Sequence, residues 1–267
     1  MTVCIAAACQ EDGEPRIVLC SDTRLDQGEW GSTDMTPKFD IIGRGWLVQY
    51  SNRPDSAKEL ITRVKEWFRS TEFDTTHSVL MALDRAAKEF RESPLCSPGC
   101  CELTVTGFVG TEAVIALLRD DEKKRLSVTL AESFAAIGSG ASIATVILNC
   151  REYNHSCSAQ DAIYLVYEAK RWSEKAYAVG PITLLLVQSP GAEDSPDGAN
   201  AEVVSDAGQN ILETIFHTIG LRPRLKIDSF PKGFLTSSEE IRCRLATKGD
   251  PSRPQPSPES PIKSDES

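Results

Sequence analysis

Strand-like and helix-like segments come in blocks along this chain, and their order restricts the folds open to it. Residues 2–9 are small and apolar, and Val3-Cys4-Ile5-Ala6-Ala7-Ala8-Cys9 has the pattern of a buried strand. Glu11-Asp12-Gly13-Glu14-Pro15 is a turn, and the apolar run Ile17-Val18-Leu19-Cys20 follows, ending at Ser21-Asp22-Thr23-Arg24. A hairpin is predicted there. Residues 38–42 and 46–50, separated by Gly43-Arg44-Gly45, predict a second hairpin. Pro54-Asp55-Ser56 then opens a helix with an apolar stripe at Leu60, Ile61, Val64, Trp67 and Phe68. A second helix from about Thr76 carries Val79, Leu80, Leu83, Ala86, Ala87 and Phe90. After a Pro/Gly/Cys loop at 93–101, strands are predicted at 103–109, 113–118 and 126–130. Gly138-Ser139-Gly140 breaks into a helix running to Cys150. Ser158 and Asp161, which resemble a capping box, open another helix with Ile163, Val166 and Tyr167 on one side. A strand at 181–188, a polar loop, a short strand at 201–204 and a helix with Ile211, Leu212, Ile215, Phe216 and Ile219 complete the series. Runs of strands followed by runs of helices predict an α+β layered domain, with two antiparallel sheets between helix pairs, rather than alternating βαβ units.

Composition narrows the function classes. Residues 1–247 suit one large domain, whereas the Pro/Ser-rich tail at 248–267 cannot bury enough apolar surface to order itself. A net charge of −10 argues against a nucleic-acid or anionic-membrane binder. There is no apolar run long enough for a transmembrane helix and no basic leader with a cleavage site, so a cytoplasmic protein is expected. The nine cysteines are an odd number, and free thiols are expected. Cys96, Cys100 and Cys101 lack a nearby histidine and the paired spacing of a zinc module, so neither a metal nor a cofactor is predicted. Cys4, Cys9 and Cys20 read as small core residues. His77, His155 and His217 are scattered, and no Gly-x-Ser-x-Gly precedes a context that would suit a Ser-His-Asp hydrolase.

Thr2 is the candidate nucleophile. A small residue at position 2 predicts removal of Met1, which would leave Thr2 as the amino terminus. Such a threonine carries a hydroxyl nucleophile and, in its own α-amine, a base. An unperturbed α-amine titrates at about 7.7–8.0, close to a working pH. Asp22 ends the second predicted strand, Lys38 opens the next hairpin, and Ser139 sits between two glycines at a strand-to-helix turn.

This ordered set resembles the proteasome β-subunit family of N-terminal nucleophile hydrolases. The resemblance rests on Thr2 before a buried strand, Ser21-Asp22-Thr23-Arg24, Lys38-Phe39-Asp40-Ile41, Ile137-Gly138-Ser139-Gly140-Ala141, and Ala162-Ile163 in the following helix. Met1-Thr2-Val3-Cys4 and Ser21-Asp22-Thr23-Arg24 are similar to bacterial proteasome-like proteins of the Anbu type. It implies a four-layer αββα sandwich, homo-oligomeric rings or stacks, a peptide or unfolded-protein substrate, and threonine-type hydrolysis through an acyl-enzyme. Carried over, Thr2 is the nucleophile, and Lys38 lowers the pKa of its hydroxyl or relays its proton. Asp22 holds Lys38 as an ion pair, and Ser139 hydrogen-bonds near the amine. A backbone N–H just before Asp55 would bind the oxyanion, and Ser51 is the nearest match to the family's Gly-rich stretch.

The chain departs from the family in two places. Tyr50-Ser51-Asn52-Arg53-Pro54 replaces the Gly-rich stretch, and Lys175 and Ala178 stand where an Asp and a Ser would support the amine, with Ser173 or Glu174 as substitutes after a small shift. Two alternatives follow: a non-catalytic assembly or scaffold subunit of the same fold, and an amidohydrolase acting on small amides. Whether an ATPase partners the assembly is open.

Overall fold

The computed structural model describes residues 2–23, 25–26, 32–33, 38–43, 45–121, 125–176, 179–191, 200–219 and 235–236. Met1, Arg24, Ala178 and the 248–267 segment, on which parts of the sequence reading fall, lie outside the described residues. In chain order the elements are β1 (Cys4–Glu11), β2 (Glu14–Asp22), β3 (Leu25–Asp26), β4 (Ser32–Thr33), β5 (Phe39–Gly43), β6 (Trp46–Asn52), α1 (Pro54–Ser70) and α2 (Thr76–Arg91). They continue as β7 (Cys101–Val109), β8 (Glu112–Asp120), β9 (Leu126–Leu130), β10 (Phe134–Ile137), α3 (Ala141–Cys150), α4 (Ala159–Ser173), β11 (Thr183–Ser189), β12 (Asn200–Val204), α5 (Asp206–Ile219) and β13 (Leu235–Thr236). Among the described residues this is an α+β arrangement of five helices and two large antiparallel sheets, ordered β10-β1-β2-β11-β12-β13 and β5-β6-β7-β8-β9, with β3-β4 as a separate ribbon.

Strand alternation divides the apolar residues into three cores. Along β1 and at Val3 just before it, Val3, Ile5, Ala7 and Cys9 share a core with residues of α3, α4 and α5, while Cys4, Ala6 and Ala8 face the second sheet. Because both faces are covered, β1 has no polar alternation, which is why its run is uniformly small and apolar. In the second sheet, Trp46, Val48 and Tyr50 of β6 and Val114, Ala116 and Leu118 of β8 turn toward α1 and α2; Leu47, Ile115 and Leu117 turn toward the first sheet. Helix α1 completes the outer core with Ala57, Leu60, Ile61, Val64 and Phe68, a stripe at helical spacing. Thr75 starts α2 by accepting from the Ser78 N–H at 3.2 Å, with the reciprocal Ser78 side chain closing a capping box.

Two glutamines tie the sheets together in opposite directions. Gln49 of β6 donates to the Cys20 carbonyl of β2 at 2.9 Å, and Gln188 of β11 donates to the Gly45 carbonyl at 2.6 Å while accepting from the Thr106 hydroxyl at 2.9 Å. Both are fully buried, so each bond contributes on the order of 1 kcal/mol and also sets the lateral position of one sheet on the other.

Strand β10 is absent from the sequence reading, because four residues are too few to show a period. Its pairing of Ile137 with Cys4 carries the following turn to the start of β1. The capping-box reading of Ser158 is half met: its hydroxyl accepts the Asp161 N–H at 3.1 Å, but the Asp161 carboxylate turns to that same hydroxyl at 2.8 Å. Behind the turn, the fully buried Glu168 of α4 receives a two-pronged ion pair from Arg151 at 2.5 and 2.9 Å, which fixes the end of α3 on α4.

Candidate functional site

The open end of the β1–β2 pair collects four of the sequence-predicted residues. Register places Cys4 opposite Ser21, and the Asp22 N–H donates to the Val3 carbonyl at 3.2 Å, so Thr2 and Asp22 adjoin at the end of the ladder. The Thr2 hydroxyl donates to Asp22 Oδ1. The second carboxylate oxygen accepts the Gly180 N–H at 2.8 Å. Asp22 is fully buried, and Thr2 is 1% exposed.

The turn after β10 pins the Thr2 backbone. The Thr2 carbonyl accepts the Gly140 N–H at 3.2 Å and the Ser139 hydroxyl at 3.3 Å. Ser139 therefore lies beside Thr2 and bonds its carbonyl, where the sequence reading set it near the amine. Gly138 has φ +92°, and a Cβ there would lie 2.2 Å from the Thr2 carbonyl oxygen. That close approach permits no side chain.

Lys38 precedes β5 and is 2% exposed. Its ammonium lies 5.7 Å from the centroid of the Tyr50 ring, and its carbonyl accepts the Tyr50 N–H at 3.2 Å. Burial pulls the Lys38 ammonium below the ordinary lysine range, and the nearby Cys4 and Asp22 oppose that shift. Burial pushes the Asp22 carboxyl up, opposed by its bonds from Thr2 and Gly180 and then by the charges of Lys38 and Lys170. Asp22 and Lys38 thus act on one another through space, while the direct partners of Asp22 are the Thr2 hydroxyl and the Gly180 N–H. Cys4 and Cys20 flank the pair as deeply buried thiols; burial holds the Cys4 thiol well above its usual value and pushes Cys20 to about 12, so neither is a thiolate nucleophile.

Ser51 is 1% exposed, and its hydroxyl donates to Glu102 at 2.9 Å. The same carboxylate oxygen accepts the Gly138 N–H at 2.8 Å, so Glu102 bridges β7 of one sheet to the turn beside Thr2. Ladder alternation directs the Ser51 N–H away from the site. The Tyr50 N–H points to Lys38 and the Arg53 N–H to Cys100 at 2.9 Å, which turns the N–H of Ser51 toward its partner Glu102 on β7 and that of Asn52 back toward the Lys38 side. Asn52 has φ +69°, a left-handed conformation that asparagine tolerates better than most residues. The N–H at the position read for Ser51 thus faces the ladder, and the next one, of Asn52, faces the Lys38 side.

No known protein-family model matches the chain, and no curated protein matches it.

Ser173 and Glu174, read as substitutes in amine support, bond to other groups. The Ser173 hydroxyl donates to the carbonyls of Gly140 at 3.1 Å and Ala169 at 2.8 Å, and Glu174 pairs with Lys170 at 2.6 Å. Lys175 is exposed. Cys96, Cys100 and Cys101 pack in or against the core of the second sheet, with the Cys100 and Cys101 sulfurs 3.8 Å apart. Among the described residues, no group of three or more His, Cys, Asp or Glu side chains could hold a metal, and no helix is long and apolar enough to cross a membrane.

Sequence reasoning missed Lys170, Glu102 and Asn52. Lys170 had a signal: it falls on the α4 stripe of Ala159, Ala162, Ile163, Val166, Tyr167 and Ser173, a face where a lysine must find a partner. Glu102 had none, because only the packing of two sheets brings it to Gly138.

Proposed function

We propose that the chain is a threonine-type N-terminal nucleophile hydrolase with the four-layer αββα sandwich of that class, acting on peptides within a self-assembled ring or stack. The observation that carries this reading is the Thr2 hydroxyl donating to the buried carboxylate of Asp22 while two donors, Gly140 and Ser139, hold the Thr2 carbonyl. A buried hydroxyl fixed at both its side chain and its backbone is an oriented nucleophile.

The chemistry follows from the positions. Thr2 Oγ1 attacks the acyl carbon as its hydroxyl proton turns from Asp22 Oδ1 to the free α-amine, which takes it and returns it to the leaving amine. Asp22 orients the hydroxyl. Lys38, with its ammonium in a low-dielectric pocket, favours the developing negative charge. The Asn52 N–H is the oxyanion donor of this scheme. Water then attacks the acyl-enzyme and frees Thr2.

One observation favours the alternative of a non-catalytic assembly subunit: Ser173 and Glu174 bond to Gly140, Ala169 and Lys170, which leaves the amine to other partners.

Intact mass and N-terminal sequencing before and after an electrophilic threonine-directed inhibitor decide between the two. A free Thr2 that gains one inhibitor mass is the expected result; retained Met1, or no adduct, overturns the catalytic reading. Size measurement in solution is expected to give an oligomer, and a strict monomer overturns the ring or stack.

The pH dependence of that labelling is a further test. Lys38 must keep its proton, and burial moves it below its ordinary value of 10.5, so the rate is expected to fall on an alkaline limb whose midpoint lies under 10.5. The acid limb reports protonation of the α-amine, with Asp22 titrating above its ordinary 3.8 beneath it. Lys38→Arg, whose charge persists at every accessible pH, is expected to remove the alkaline limb.

A further inference from the structure

Helix α4 buries a second lysine that the proposed chemistry leaves unused. Lys170 is fully buried on the core face of the helix, where an apolar side chain would ordinarily stand. A buried ammonium is tolerated only when its donors are satisfied. Lys170 donates to Glu174 at 2.6 Å and to the Pro181 carbonyl at 2.8 Å. Pro181 directly follows Gly180, whose N–H holds Asp22 Oδ2 at 2.8 Å. The bonds therefore run from Glu174 to Lys170, to the Gly180–Pro181 segment, to Asp22 and so to the Thr2 hydroxyl.

The outer end of this series is also held. Glu174 receives Arg171 at 3.3 Å, Arg171 reaches Glu213 of α5 at 3.1 Å, and Glu213 meets His217 at 2.8 Å. Charges of alternating sign thus connect α5 to the buried lysine, so that Glu174 is not free to leave it. An apolar residue at 170 would fill the same space at lower desolvation cost but would leave the Pro181 carbonyl without this donor.

We propose that Lys170, held by Glu174, is a positioning residue for Asp22: it clamps the Pro181 carbonyl and so keeps the Gly180 N–H on the carboxylate that orients Thr2. The inference rests on the reading of Asp22 and Thr2 as reacting partners, but its consequence for Asp22 is measurable without activity. The Lys170 charge also opposes the burial that pushes the Asp22 carboxyl up, so geometry and electrostatics act in one direction. The titratable and charged groups facing Asp22 are the thiols of Cys4 and Cys20 and the ammonium groups of Lys38 and Lys170.

The test is a carboxyl titration of the full chain carrying 13C-labelled aspartate, with the Asp22 signal assigned by its loss in Asp22→Asn. Lys170→Met is expected to raise the Asp22 midpoint by about one pH unit, since both a cation and a held N–H are removed. Lys170→Arg is expected to restore most of the shift. Thr2 labelling by the electrophile is expected to slow about tenfold in Lys170→Met and to recover in Lys170→Arg. An Asp22 midpoint that stays put in a folded Lys170→Met overturns the proposal. If that variant does not fold, Glu174→Gln carries the test: it is expected to raise the midpoint while Lys170→Arg holds it near the wild-type value, and a Glu174→Gln midpoint that stays at the wild-type value overturns the proposal. A wild-type protein that takes no label sinks the hydrolase reading alone, because the titration still decides whether Lys170 positions Asp22.

Discussion

Gly138→Ala is expected to destabilise the chain by about 3–5 kcal/mol and to lower its melting temperature by roughly 10 °C. The cause is local and double. At φ +92° a Cβ adds backbone strain of about 1–2 kcal/mol, and the new methyl would stand 2.2 Å from the Thr2 carbonyl oxygen. That oxygen is backbone in the first residues of the central sheet, so it cannot rotate aside as a flexible side chain would. Either the turn after β10 lifts away, losing the bonds from Gly140 and Ser139 to Thr2, or β1 shifts against β10. Gly110→Ala is the control. It also has positive φ, at +57°, but nothing lies within 4 Å of its Cβ position, so only the backbone term of about 1 kcal/mol applies. Thermal melts of the two variants separate strain from collision, and equal losses would show that the Thr2 contact contributes nothing.

Thr2→Ala is expected to abolish inhibitor uptake and to reduce peptide hydrolysis by about 1,000-fold or more, with the fold retained. The variant removes the proposed nucleophile and also leaves Asp22 with one acceptor unmet. Losing that bond from a buried carboxylate costs about 1–3 kcal/mol, which a melt should register. Asp22→Asn separates the two effects. The Asp22 carboxyl is raised on folding, so the native state binds its proton more tightly than the unfolded chain does. The charge therefore works against the fold. The cost is absent below the unfolded value near 3.8, grows as pH rises through the window up to the raised folded value, and is fully present above it. Replacing it with a neutral amide offsets the loss of one acceptor, and stability at neutral pH is expected to stay within about 1 kcal/mol of wild type. Thr2 labelling, however, is expected to fall about 100-fold, because the hydroxyl loses the carboxylate that orients it. A variant that labels at the wild-type rate would remove Asp22 from the proposed chemistry.

The elements with a long period were legible in the sequence. The stripes of α1 and α2 and the hairpin of β1 and β2 reappear with small changes at their ends, because burial of one helix face or of a whole strand leaves a pattern in hydropathy. The candidate site was legible only in part. Thr2, Asp22, Lys38 and Ser139 were found through their order along the chain. Their bonding was not: Asp22 takes the Thr2 hydroxyl and the Gly180 N–H directly and meets Lys38 only through space. Ser51 turned out to direct its N–H into the ladder, since N–H direction alternates along a strand and depends on which neighbour lies on which side.

What the sequence determined by itself was the layered α+β arrangement and the candidates for its chemistry, since hydrophobic period and residue type are properties of short segments. What only the tertiary structure decided was the company those residues keep. A four-residue strand brings Gly138, Ser139 and Gly140 to Thr2, and a lysine on the core face of α4 reaches the segment that holds Asp22. Both depend on contacts between residues far apart in the chain. A buried polar group must find its partner wherever packing delivers one, and neither spacing nor composition records where that is.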